Sequence, residues 1–199
     1  EYLGTGDDPG VLVYPIPYLE PDLVRSALSP SDQPLERSHQ AVMDAAMRRI
    51  GTDLKQRRSE GDLRPAVVMA HAFIVGAAPS DSERNIEVGG VASVSAETFE
   101  NFGADPQAPT PGLSYVALGH LHRPQAISSS QVPIRYSGSP IAYSFSEAPG
   151  DQCAVLIDTY PDIKKLTPHT QRVEISGISM PLTLSTVDIP SAHPLVVLT

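Results

Sequence analysis

Tyr115-Val116-Ala117-Leu118-Gly119-His120-Leu121-His122 decides how the rest of this chain is read: an apolar run of buried-strand length, a glycine, and two histidines one residue apart. A short continuous apolar run fits a strand covered on both faces. The glycine allows a close backbone approach. Side chains two apart on an extended chain point the same way, so His120 and His122 are expected to reach one pocket while Leu121 turns into the core. The same arrangement occurs upstream, where Ala66-Val67-Val68-Met69-Ala70 delivers His71 at its end. Loops at strand ends are where α/β folds assemble their sites. Neutral imidazole is a common ligand for Mn, Fe and Zn, which makes His71, His120 and His122 candidate ligands. His39 falls within a helical stripe and reads as a packed or half-exposed helix residue. His169 and His193 stand beside prolines and read as surface histidines.

Working outward, Val11 to Ile16 predicts a strand that leaves the core at Pro15 and Pro17, and 17–21 a surface crossing. After Ser31-Asp32, the positions Leu35, Val42, Met43, Ala46, Met47 and Ile50 share one stripe, which predicts an amphipathic helix of about four turns ending near Gly51. The continuation from Lys55 to Arg64, with Arg57 and Arg58, reads as an exposed basic face or loop. Loops are expected at 80–84, at Gly89-Gly90 and across the proline-rich 104–112. Ile134-Arg135-Tyr136 leads into the turn-rich Ser137-Gly138-Ser139-Pro140, and 153–157 predicts a further strand with Cys153 inert inside it. Strands separated by a helix predict an α/β layered domain over 1–158. Beyond Asp158, short alternating segments such as 172–175 and 182–184 predict the start of a smaller second domain over 159–199.

The chain has 199 residues, 41% of them hydrophobic and 19% charged, as in a folded globular protein. One cysteine excludes an internal disulfide and any site built from several thiolates. No apolar stretch approaches the roughly 20 residues that span a bilayer. The chain begins at Glu1 with no leader-like segment, so it is expected to be soluble, cytoplasmic and a truncated piece of a longer protein. A net charge of −9 argues against a broadly basic nucleic-acid surface. That objection weakens where bound metal ions supply the positive charge.

Longer strings narrow the reading. Tyr115 to Gln125, Arg135-Tyr136-Ser137-Gly138-Ser139-Pro140 and Tyr143-Ser144-Phe145-Ser146-Glu147 closely resemble the D-subunit family of the bacterial SbcCD exonucleases. So do His71-Ala72-Phe73, Ser80 to Arg84, Val88-Gly89-Gly90 and Tyr14 to Leu19, in the same order and over roughly residues 11–158. The resemblance implies a calcineurin-like metallophosphoesterase fold, a β-sandwich flanked by helices, incomplete here and followed by the start of a small C-terminal capping domain. It implies two Mn ions, with Mg as a substitute: His71 and His120 on one, His122 on the other. It implies phosphodiester hydrolysis, as an ATP-dependent double-strand exonuclease and single-strand endonuclease. Its partners would be DNA and an SMC-like ATPase of the SbcC type, with two copies of the nuclease chain forming a homodimer within a heterotetramer. Arg123 and Arg135 are candidates to neutralise a phosphate, or else pair with surface acids. Ser137 and Ser139 have no partner pattern for a nucleophile, so no covalent catalysis is expected.

The chain departs from the family pattern in one respect. No Asp-x-His and no Gly-Asn-His-Asp/Glu occurs, and Gly6-Asp7 lies too close to the Val11 strand, without the neighbours to substitute. Those motifs supply the remaining ligands and the bridging carboxylate. The chain is therefore expected to start after them, to bind Mn weakly by itself and to lack nuclease activity, while its parent is active. The competing readings are a calcineurin-like phosphatase of small phosphoesters and a non-catalytic scaffold module.

Overall fold

A computed structural model describes residues 2–3, 10–78, 93–100, 102, 111–140, 153–158, 171–174 and 195–198. The elements expected at 80–84, 89–90, 104–110 and 182–184, and residues 143–147, His169 and His193, lie outside the described residues.

The described fold is mixed α/β. Its strands are β1 (Tyr2–Leu3), β2 (Val11–Ile16), β3 (Ala66–His71), β4 (Phe73–Ile74), β5 (Ser93–Val94), β6 (Tyr115–Gly119), β7 (Gln125–Ile127), β8 (Ile134–Tyr136), β9 (Cys153–Asp158), β10 (Gln171–Glu174) and β11 (Leu195–Leu198). Two helices, α1 (Pro21–Leu28) and α2 (His39–Ser59), lie between β2 and β3, and a short 3-10 helix covers Ala96–Phe99. Six strands form one sheet in the order β1-β2-β3-β6-β8-β7. β2, β3, β6 and β8 run parallel, and β1 and β7 close the edges antiparallel. The strand runs read from the sequence therefore form the parallel centre or, for 153–158, the middle strand of a separate sheet in which β9 pairs with β10 and β11.

Alternation along the parallel strands divides their side chains between two faces. Leu12, Ile16, Val68, Ala70, Val116 and Leu118 join one core with Val42, Met43, Met47 and Leu54 of α2 and with Phe99. Val11, Val13, Val67 and Tyr115 point the other way and meet Val155 of β9.

The helices correct the sequence reading in three places. α2 begins at His39, not after Ser31-Asp32: Pro34 interrupts the earlier stretch, and Ser38 caps the helix, its Oγ accepting from the Ala41 N–H at 3.2 Å. It also runs through Gly51 to Ser59. That glycine is a packing residue, since a Cβ there would stand 2.8 Å from Phe102 Cδ1. The helix stops instead at Gly61, whose φ of 86° lets the N–H groups of Gly61 and Asp62 return to Arg58 and Arg57 carbonyls. Third, Arg58 is not on an exposed basic face. It is 5% exposed and donates to the carbonyls of Pro111, Asp62 and Arg64, fastening the helix end to the loops before β3 and β6. α1 has no counterpart among the expected elements. Its eight residues start with Pro21 at the first turn, where a missing N–H costs nothing.

Candidate metal centre

The C-terminal ends of β2, β3, β6 and β8 lie along one edge of the sheet and deliver Pro17-Tyr18, His71, Gly119-His120 and Ser137. His71 and Gly119 are register partners. Gly119 leaves room for the imidazole: a Cβ there would stand 3.2 Å from His71 Nδ1, close enough that the ring would have to shift by a few tenths of an ångström. Past the glycine, the backbone of His120 turns to φ 111°, a conformation that L-residues adopt at a cost of about 1–3 kcal/mol. The turn swings the imidazole across the strand end, so that His120 Nδ1 lies 3.1 Å from His71 Nε2, with the rings 5.1 Å apart and nearly perpendicular.

Leu121 is buried, as its spacing predicts. The regular extended backbone that would aim His120 and His122 together is broken at His120. His122 is half-buried on the following bend, its carbonyl accepting from the Ser139 N–H at 2.9 Å. Gly138 (φ 81°) makes that contact possible, because a Cβ there would be 2.7 Å from the His122 oxygen and from the Pro124 ring. Among the described residues, no three His, Cys, Asp or Glu side chains come together at one point.

The segment after His71 is held from beneath. Tyr136 is fully buried, and its hydroxyl donates to the Ala72 carbonyl (2.7 Å) while accepting from the Ile74 N–H (2.9 Å). Gln125 ties the same segment further on, its side-chain amide accepting from the Ala78 N–H at 2.8 Å and donating to the Ala78 carbonyl at 2.9 Å.

A cavity of about 380 Å³ opens on the sheet face away from α2, lined by Pro17, Met69, His71, Ala117, Arg135 and Ser137 among others. Arg135 thus stands in the same cavity as His71. Its buried Nε meets no hydrogen-bond partner among the described residues. Arg123 is exposed on the loop after His122 and does not line the cavity. Ser137 and Ser139 are buried on either side of Gly138, and Ser139 holds this segment against the His122 carbonyl.

Electrostatics favour a neutral imidazole at His71. His71 is open to solvent on one side, but the packing of its ring desolvates it enough to hold its pKa below the ordinary histidine value. A neutral ring offers a lone pair to an ion. Two nitrogens on adjacent positions of one ion, each about 2.1 Å away, stand roughly 3.0–3.4 Å apart. The His71–His120 spacing fits that bite. Two imidazoles fill only two positions of a coordination shell, so the described residues fit part of one ion's shell, and a dinuclear site would need further ligands.

Tyr18, which was not singled out by the sequence, and His39, read there as a packed or half-exposed helix residue, belong to this neighbourhood. The Tyr18 ring lies 5.8 Å from that of His71, edge to face, and 5.4 Å from that of His39. Burial raises the Tyr18 pKa, and the charge and hydrogen bonding of Glu20 add to the rise. Burial lowers that of His39. The available signal was that Pro17-Tyr18, like His71 and His120, follows a buried strand run.

Known proteins are similar to this chain over part of its length. The chain is 45% identical over 95 residues to the D subunit of the SbcCD nuclease from Bacillus subtilis (strain 168), covering 48% of this chain and 22% of that protein. The chain is a relative of the SbcCD D subunits. It is also 31% identical over 140 residues to the D subunit from Escherichia coli (strain K12), covering 70% of this chain and 32% of that one. With the D subunit from Rhodobacter capsulatus it shares 35% over 126 residues, 62% of this chain and 28% of the relative. No family model matches the chain. The chain spans no more than about a third of the length of these D subunits. Among the described residues no helix is long and apolar enough to cross a membrane.

Proposed function

We propose that this chain is part of a metal-dependent DNA nuclease subunit that hydrolyses phosphodiester bonds. The observation that carries the reading is the His71–His120 pair, two imidazole nitrogens 3.1 Å apart at neighbouring strand ends of a chain similar to the SbcCD D subunits. The finer parts of the proposal are a calcineurin-like sandwich completed by further chain, a site for two Mn ions (or Mg), and assembly of a D-subunit homodimer with an SMC-like ATPase. ATP-dependent double-strand exonuclease and single-strand endonuclease activity, in DNA repair, recombination and replication in the cytoplasm, completes it.

In this reading His71 and His120 are ligands of one ion and His122 of the second. When bound, the ions supply Lewis-acid charge to the phosphate and lower the pKa of a water. The chain's own contribution is position. Gly119 and the turn at His120 fix the two nitrogens, and Tyr136 fixes the backbone after His71. In the same reading Arg135, which lines the cavity beside His71, and Arg123, on the exposed loop, would neutralise phosphate charge near the ions. No covalent enzyme intermediate is involved.

The test is Mn-dependent cutting of linear duplex DNA by the complete nuclease chain with its ATPase partner, beside hydrolysis of a generic phosphomonoester. Duplex cutting that His120→Ala lowers by at least about 100-fold supports the reading. Monoester hydrolysis without duplex cutting replaces it with a small-molecule phosphatase. The 199-residue chain by itself is expected to bind Mn weakly and to cut nothing.

A further inference from the structure

Four aromatic rings from four separate segments form a continuous row across the top of the sheet. His39 opens α2, Tyr18 follows β2, His71 ends β3 and His120 follows β6. Successive ring centres are 5.4, 5.8 and 5.1 Å apart. The Tyr18 hydroxyl is 3.5 Å from His39 Nε2, at the outer limit of a hydrogen bond. Tyr18 keeps 46% of its surface exposed, unusually much for a ring with aromatic neighbours on both sides. Its apolar surface is therefore committed sideways, to the two histidines, rather than downward into the core.

An imidazole that ligates a metal is useful only if its ring plane is fixed, and neighbouring groups usually do the fixing. Gly119 leaves room for the His71 ring on one side. The perpendicular Tyr18 ring supplies a wall. We propose that Tyr18 is a positioning residue for His71, that His39 holds Tyr18 in place, and that the two together set the His71–His120 geometry. This rests on the metal-centre reading only for its purpose; the positioning itself can be measured without metal.

Two measurements on the 199-residue chain separate these questions. The first is metal-free NMR of the histidine side chains, reading the His71 ring shifts and the ring-to-ring contact between His71 and His120. Tyr18→Leu is expected to weaken that contact and shift His71. His39→Ala is expected to shift His71 in the same direction through the tyrosine, and to add nothing in the Tyr18→Leu background. A His71 signal that ignores both substitutions overturns the proposal. If Tyr18→Leu does not fold, His39→Ala decides alone, because a helix-opening alanine leaves the sheet intact. The second is titration with Co²⁺ followed by its visible absorbance. Affinity is expected to fall about 10- to 100-fold in Tyr18→Leu and by less in Tyr18→Phe, which keeps the ring. Equal affinity in Tyr18→Leu and wild type overturns the proposal. Absence of any Co²⁺ binding by the wild-type chain counts against the metal-centre reading, and the NMR result then still decides the positioning.

Discussion

One face of the six-stranded sheet is sealed, while the other is half open, although the strands supply both with apolar side chains. Val68, Val116 and Leu118 lie under α2 and Phe99 with almost no exposure. On the opposite face Val67 and Tyr115 are covered with the help of Val155, whereas Met69 and Ala117 are half-buried and line the cavity that holds Arg135 and His71. The sealed face carries the stability and fixes the strand ends. The open face leaves room for something other than side chains of the described residues.

The largest effect expected from this contrast is in matched truncations. Met47→Ala on the sealed side should cost about 2–5 kcal/mol, since the cavity it leaves cannot collapse. Met69→Ala on the open side should cost about 1 kcal/mol or less, because much of its surface is already exposed; denaturant unfolding of both variants checks the difference. Equal costs would mean that the faces are equally packed. Next in size is Tyr136→Phe, which strands the buried Ala72 carbonyl and Ile74 N–H beside His71. It should cost about 1–3 kcal/mol, and amide exchange at Ile74 should quicken.

A pH comparison sharpens the contrast further. Tyr14, which donates to Asp53 at 2.8 Å, and Tyr115, on the open face, are both pushed up to about 12, chiefly by burial. For Tyr115 the Arg135 charge partly opposes the rise. Both phenols are neutral in folded and unfolded chains below about pH 10. Above it the unfolded chain loses its phenolic protons first, so stability falls between about pH 10 and 12. Tyr115→Phe should remove part of that fall, read as the pH dependence of the unfolding midpoint. The smallest effect concerns the edge where the two faces meet. His120→Gly should be more stable than His120→Ala by about 1 kcal/mol in thermal unfolding, because only glycine relaxes at φ 111°. The reverse order would show that the turn at His120 stores no strain.

Much of the sheet was legible because continuous apolar runs leave few alternatives to a buried strand: 11–16, 66–70 and 115–118 became β2, β3 and β6 nearly to the residue. The histidines were legible for the same reason, being polar residues placed at the ends of those runs. Helix limits were not. A stripe from Leu35 to Ile50 does not reveal that Pro34 and Ser38 delay the start, or that Gly51 is needed by Phe102, 51 residues away. Arg58 read as a solvated cation because its three partners are backbone carbonyls, which leave no signature in side-chain identity.

By itself, the sequence determined the strands β2, β3, β6 and β9, which polar residues close β3 and β6, and the similarity to the SbcCD D subunits, since all of these depend on local residue order. Only the tertiary structure decided which of those histidines meet. His71 and His120 are 49 residues apart and touch because β3 and β6 pair in parallel at one register, with a glycine opposite His71. His122, two residues from His120, follows a different course because the chain turns at a positive φ between Gly119 and Leu121. Tyr18 and His39 join the row for the same reason: strand order and helix placement bring together side chains that no spacing in the chain relates.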